Sequence, residues 1–167
     1  MSIRPELKSF AKGFKFASAG ILHCIKNERN MRFHFCAAFY VLIFMNFYDL
    51  SRGERLAVYI VIGAVISLEA VNTAVEAIVD LVSPQHQRLA GIAKDCAAGA
   101  VLIAALASAA VGITLFWDTE VLCKIGDYFA EHTLMLILLI ISAVVWFAVI
   151  FVPQGKENEK GKGSKDE

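Results

Sequence analysis

From Leu68 to Asp80, five polar side chains, Glu69, Asn72, Thr73, Glu76 and Asp80, interrupt a run of Ala, Val, Leu and Ile. At about 100° per residue a helix gathers all five into one stripe roughly 100° wide. The residues leading into it from Leu56 are apolar, so the stretch reads as the second half of a membrane-spanning helix, expected over 56–82 and ended by Ser83-Pro84. Ionisable groups at such depth are costly. They must face protein or a wet cavity, and they mark a functional site.

The composition agrees with a membrane setting. Of 167 residues 57% are hydrophobic and only 19% charged, with mean hydropathy +0.60, as in a small integral membrane protein. A net charge of zero gives no reason to expect nucleic acid as a partner. Neither common glycine-rich phosphate loop is present, so any nucleotide must be held by other means. Cys24, Cys36, Cys96 and Cys123 have no C-x-x-C spacing and mostly apolar neighbours, which predicts small buried hydrophobes rather than metal ligands or disulfides. Near the N-terminus no continuous apolar run precedes a small-residue cleavage site, and no cleaved signal peptide is expected.

In chain order, Leu7, Phe10, Phe14, Ala17, Ile21 and Ile25 recur at spacings of three and four, with Lys8, Lys12 and Lys15 on another side. Residues 5–26 are therefore expected to form an amphipathic helix on the membrane surface, its lysines toward anionic headgroups. Phe16 stands on the polar side, as an exposed hydrophobe or a platform for a base. Asn27–Arg32 reads as a polar hinge. A first span is expected over 33–48, short and imperfectly apolar because of His34 and Asn46. After the second span comes a polar loop, and a third span is expected over 96–117, where Ala100, Ala104, Ser108 and Gly112 form a small-residue ridge suited to close helix contact. Residues 118–132 read as an acidic connector, 133–152 as a fourth span, and 153–167 as a polar, disordered tail. The chain is thus expected to be all-α and multi-pass. Lys and Arg concentrate before the first span, in the loop after the second and in the tail, which places both termini in the cytoplasm.

Three segments then bring charge to the cytoplasmic side: Glu28, the stripe, and Lys94-Asp95. Glu28 and Glu76 can hold a Mg²⁺ that bridges phosphates, since this ion takes oxygen ligands and one or two carboxylates. Lys94 can neutralise phosphate. Glu69 lies about 10 Å deeper along the helix than Glu76, where a carboxylate can accept a proton from a lipid hydroxyl. The same residues also suit a helix-packing polar network, a scaffold or a small cation transporter, and spacing alone leaves these alternatives open.

The run Glu69-Ala70-Val71-Asn72-Thr73-Ala74-Val75-Glu76-Ala77-Ile78-Val79-Asp80 resembles the signature E-x-x-N-[ST]-A-x-E-x-x-V-D of the prokaryotic diacylglycerol kinase and undecaprenol kinase family. Asn27-Glu28-Arg29-Asn30 with Arg32 and His34, and Ala93-Lys94-Asp95-Cys96-Ala97-Ala98-Gly99-Ala100-Val101, also match, so the similarity covers roughly residues 7–117. The resemblance implies an ATP- and Mg²⁺-dependent kinase of a membrane lipid alcohol in the bacterial cytoplasmic membrane, built as a homotrimer of three-span subunits. It implies Glu69 as general base, Glu28 and Glu76 as metal ligands, Lys94 and Asp95 in the nucleotide site, Asn72 near the transferred phosphoryl and Phe16 against adenine. The form of the motif around Glu28 leans toward the undecaprenol kinases. The chain departs from the family at His86-Gln87, where many relatives carry Tyr-His, and in the segment beyond the third span.

Overall fold

The computed structural model describes residues 3–83 and 87–151. These are helical apart from short connections: α1 (Ile3–Asn27), α2 (Arg29–Phe44) with a 3-10 turn (Met45–Phe47), α3 (Arg52–Val82), α4 (Arg88–Phe116), α5 (Thr119–Glu131) and α6 (Thr133–Phe151). The loop residues 84–86, including His86, and the tail expected over 153–167 lie outside the described residues.

Local chemistry sets the helix ends. Ser51 and Glu54 form a capping box: the Ser51 hydroxyl accepts from Glu54 N at 3.3 Å, and Ser51 N donates to the Glu54 carboxylate at 2.7 Å. The helix of the second span therefore starts at Arg52, before the apolar run. Likewise α4 begins at Arg88, because its polar first two turns are helical although they are not apolar. The expected acidic connector is itself a helix. Asp118 caps it by accepting from Glu120 N and Val121 N, and its acidic side chains line one face.

Three helices, α3, α4 and α6, are long and apolar enough to cross a membrane. The segment expected as a first span differs: α2 has 16 residues, about 24 Å of helix, before the turn at Met45. It packs with α3 along seven-residue intervals. Met31, Ala38 and Met45 on one side and Val58, Val65 and Asn72 on the other are all buried, the spacing of a left-handed crossing. The most extensive helix contact is between α3 and α4. Ala100, Ala104, Ser108 and Gly112 are half-buried, yet a methyl group at Gly112 would meet nothing within 4 Å. Within one chain the ridge is not closed to its limit.

α1 forms over the expected residues, but Ser9 to His23 are exposed on every side and only its last turn packs, through buried Cys24. α6 lies antiparallel along α2. Tyr40 and Ser142 share a hydrogen bond of 3.0 Å, the rings of Phe39 and Trp146 are 5.9 Å apart, and Arg32 reaches the Ile150 carbonyl at 3.2 Å.

Candidate functional site

The buried face of α3 changes character along its length. Val58, Val65, Glu69, Asn72 and Glu76 fall within roughly 60° of one another around the helix axis, so the polar stripe continues the apolar seam that packs on α2. Glu69 is 2% exposed and Asn72 8%. The crossover comes where α2 begins. There the Asn30 side chain hydrogen-bonds Glu69, and Glu28 and Glu76 both act on it electrostatically.

Glu28 occupies the single break between α1 and α2. Its backbone is extended and its side chain caps nothing, which leaves the carboxylate available. Burial pushes its pKa above the usual carboxylate value, and the Glu76 charge pushes the same way; His23 and Arg32 oppose them. Two carboxylates that repel each other at a partly desolvated site favour a proton or a cation between them. The amide of Asn72 donates from Nδ2 to Glu76 Oε1 at 2.9 Å, which orients the amide, while its Oδ1 is buried with no hydrogen-bond partner. An unpaired buried acceptor is costly and calls for a donor or a cation. Thr73 returns its hydroxyl to the Glu69 carbonyl at 3.1 Å and serves the helix.

The residues thus offer oxygen only, from Glu28, Glu76 and Asn72 Oδ1. Among the described residues no group of three or more His, Cys, Asp and Glu is arranged for a metal. A structural zinc shell is therefore not built here. Carboxylate and amide oxygens are the donor types that Mg²⁺ takes, an ion that keeps waters and phosphate oxygens for the remainder of its shell.

The other expected site residues are placed differently. Lys94 forms an ion pair with Asp80 across α3 and α4, a partner the sequence did not assign. Asp95 is exposed. Phe16 is 71% exposed on the unpacked part of α1, about 16 Å of helix before Asn27. One chain does not bring it to Glu28 and Glu76. Gln87 caps the start of α4 without a side-chain hydrogen bond. Two further participants carry no role on sequence grounds: Asn30, which meets Glu69, and Arg32, which is buried beside Glu28. Arg32 stands one helical turn after Glu28, a signal for proximity, but its partner near residue 150 had none.

Next to the site, between α2, α3 and α4, lies an apolar cavity of about 300 Å³, lined among others by Phe33, His34, Val65, Ile66, Ser108 and Gly112. On α3 the lining ends at Val65 and Ile66, so the apolar space begins about one helical turn from Glu69.

The sequence is similar to those of known proteins. An undecaprenol kinase from Bacillus subtilis (strain 168) is 43% identical over 113 residues, covering 68% of this chain and 92% of the relative. A diacylglycerol kinase from Synechocystis sp. is 39% identical over 100 residues, 59% of this chain and 57% of the relative. One from Escherichia coli (strain K12) is 29% identical over 92 residues, 55% and 75% of the two chains. The family described as prokaryotic diacylglycerol kinase matches residues 15–116, more than half of the sequence, and the chain belongs to that family.

Proposed function

We propose that the protein is a lipid kinase that transfers the γ-phosphoryl of ATP to the hydroxyl of a membrane lipid alcohol, with undecaprenol favoured over diacylglycerol. The observation that carries this reading is the buried Glu69 about one helical turn beyond an apolar cavity, with the Glu28–Glu76 pair farther along toward the exposed helix ends. The undecaprenol preference rests on the motif around Glu28 and on the 43% identity with an undecaprenol kinase.

In this reading the alcohol lies with its chain in the apolar space and its hydroxyl at Glu69. Glu69 accepts the hydroxyl proton as the oxygen bonds to the γ-phosphorus, the bond from that phosphorus to the β–γ bridging oxygen breaks, and ADP leaves. Glu28 and Glu76, with Asn72, hold Mg²⁺, which when bound neutralises phosphate charge. Lys94 and Asp95 face the nucleotide from α4. Asn30 keeps the Glu69 carboxylate in one orientation.

We also read α1 as lying on the bilayer surface, because Phe10, Phe14 and Ile21 are 67%, 61% and 45% exposed and would otherwise face water. The short α2 completes a span with its flanking turn, both termini are cytoplasmic by the Lys/Arg distribution, and the membrane is the bacterial cytoplasmic one. The working unit is a homotrimer, in which a neighbouring copy's α1 supplies Phe16 to the adenine.

The test is transfer from radiolabelled ATP to undecaprenol or diacylglycerol in mixed micelles with Mg²⁺. Labelling of undecaprenol at the higher kcat/KM is expected. No labelling of either lipid would rule out the kinase, and cation flux through reconstituted vesicles would then favour a transporter.

A further inference from the structure

The family match ends at residue 116, and α6 lies beyond it. We infer that α6 is a positioning strap for the catalytic end of the bundle, acting through Arg32 on Glu28.

The geometry makes the link residue by residue. Arg32 is 5% exposed. Its Nη1 donates to the Lys26 carbonyl at 2.9 Å and toward that of Ile25 at 3.4 Å, and its Nη2 donates to the Ile150 carbonyl at 3.2 Å. The first two acceptors lie in the last turn of α1, where carbonyls lack partners within the helix and the helix dipole favours a cation; the third lies on α6. One guanidinium fork therefore joins two helices, which a lysine ammonium, a compact point charge, is not shaped to do. Glu28 stands inside this junction: its N–H donates to Cys24 O at 2.8 Å, and its carbonyl accepts from Arg32 N at 3.3 Å. The angle between α1 and α2, and so the direction of the Glu28 carboxylate, is set by what holds Arg32.

α6 can serve as a fixed point because it is seated along α2 at two further levels, Tyr40 with Ser142 and Phe39 with Trp146. Arg32 is thus a positioning residue, and α6 supplies part of its seat. Loosening α6 should impair the Glu28 half of the metal-nucleotide site while sparing the acceptor side at Glu69.

This inference rests on the kinase reading for its kinetic readout, and binding of Mn²⁺-ATP, followed by the Mn²⁺ paramagnetic signal, supplies a second readout that needs no turnover. The full-length chain is compared with Arg32→Lys, Trp146→Ala and their combination. Arg32→Lys is expected to weaken Mn²⁺-ATP binding and raise the MgATP KM about tenfold, and Trp146→Ala about threefold, with the lipid KM unchanged and kcat within about twofold. The double variant should do little more than Arg32→Lys alone, as for two residues acting through one junction. If Trp146→Ala does not fold, Tyr40→Phe with Ser142→Ala removes only the hydrogen bond and should show the same selective loss. Wild-type affinity in folded α6 variants, rescue by lysine, or multiplying effects in the double variant would overturn the strap. If the wild type phosphorylates neither lipid, the kinase reading fails, and Mn²⁺-ATP binding alone decides the strap.

Discussion

The two ends of the bundle are held by different physics. Around the turn after α2, Phe44, Phe47, Tyr128 and Phe129 form a ring cluster with centroids 5.3–6.3 Å apart, and Tyr48, 7% exposed, donates to the Phe116 carbonyl at 2.9 Å. Every buried group there is apolar or paired. At the other end Glu69, Asn72 and Arg32 are buried, and Asn72 Oδ1 has no partner. A chain that can close one end with rings and a tyrosine hydrogen bond has no folding need for buried carboxylates at the other. The difference marks the charged end as the part retained for chemistry.

The largest effect expected from breaking this contrast is at Glu69. Glu69→Gln keeps the shape and removes the base, so kcat should fall by about 10²–10⁴-fold with MgATP binding unchanged. Stability should hold or rise, because a buried carboxylate is exchanged for a neutral amide that can still bond Asn30. The measurement is lipid phosphorylation beside nucleotide binding. Transfer at the normal rate would remove Glu69 as base.

Next in size is Glu76→Gln. It takes charge from the Glu28–Glu76 pair but keeps an oxygen within reach of Asn72 Nδ2. The MgATP KM should rise by roughly 10- to 100-fold, a loss of about 1.4–2.7 kcal/mol, and excess Mg²⁺ should recover part of it. Unchanged MgATP affinity would exclude Glu76 from the metal site.

How far the sequence could see follows the same division. The stripe from Glu69 to Asp80 was legible because one helix carries it at a fixed period, and its continuity with Val58 and Val65 follows from the same rotation. The pairing of α6 with α2 was not legible. α6 is apolar on every side, so no periodicity says which face meets a neighbour. Arg32 with Ile150 joins residues far apart in the chain, which no local pattern encodes. α5 reads as a connector because its charges are dense, although they share one face of a helix. Nor does a motif state which residues one copy assembles: Glu28, Glu69 and Glu76 act on one another electrostatically within the chain, whereas Phe16 stands on the unpacked part of α1.

At the aromatic end the contrast predicts loss of stability without loss of chemistry. Phe47→Ala removes ring contacts to Phe44, Tyr128 and Phe129 and should cost about 2 kcal/mol, seen as a lower unfolding midpoint in detergent. Below that midpoint kcat and both KM values should stay within about twofold of wild type. A selective rise in MgATP KM would mean that the two ends are coupled.

The smallest effect separates two readings of Lys94. Its ammonium is 34% exposed and the Asp80 carboxylate 68%, so screening leaves the pair worth less than about 1 kcal/mol to the fold. If Lys94 only ties α4 to α3, Asp80→Asn and Lys94→Met break the same bond and should shift stability and kinetics alike. If Lys94 contacts phosphate, as proposed, Asp80 competes with the nucleotide for it. Asp80→Asn should then lower the MgATP KM by about two- to threefold, and Lys94→Met should raise it. The signs are opposite, so titrating MgATP against the two variants decides the point even though neither change is large.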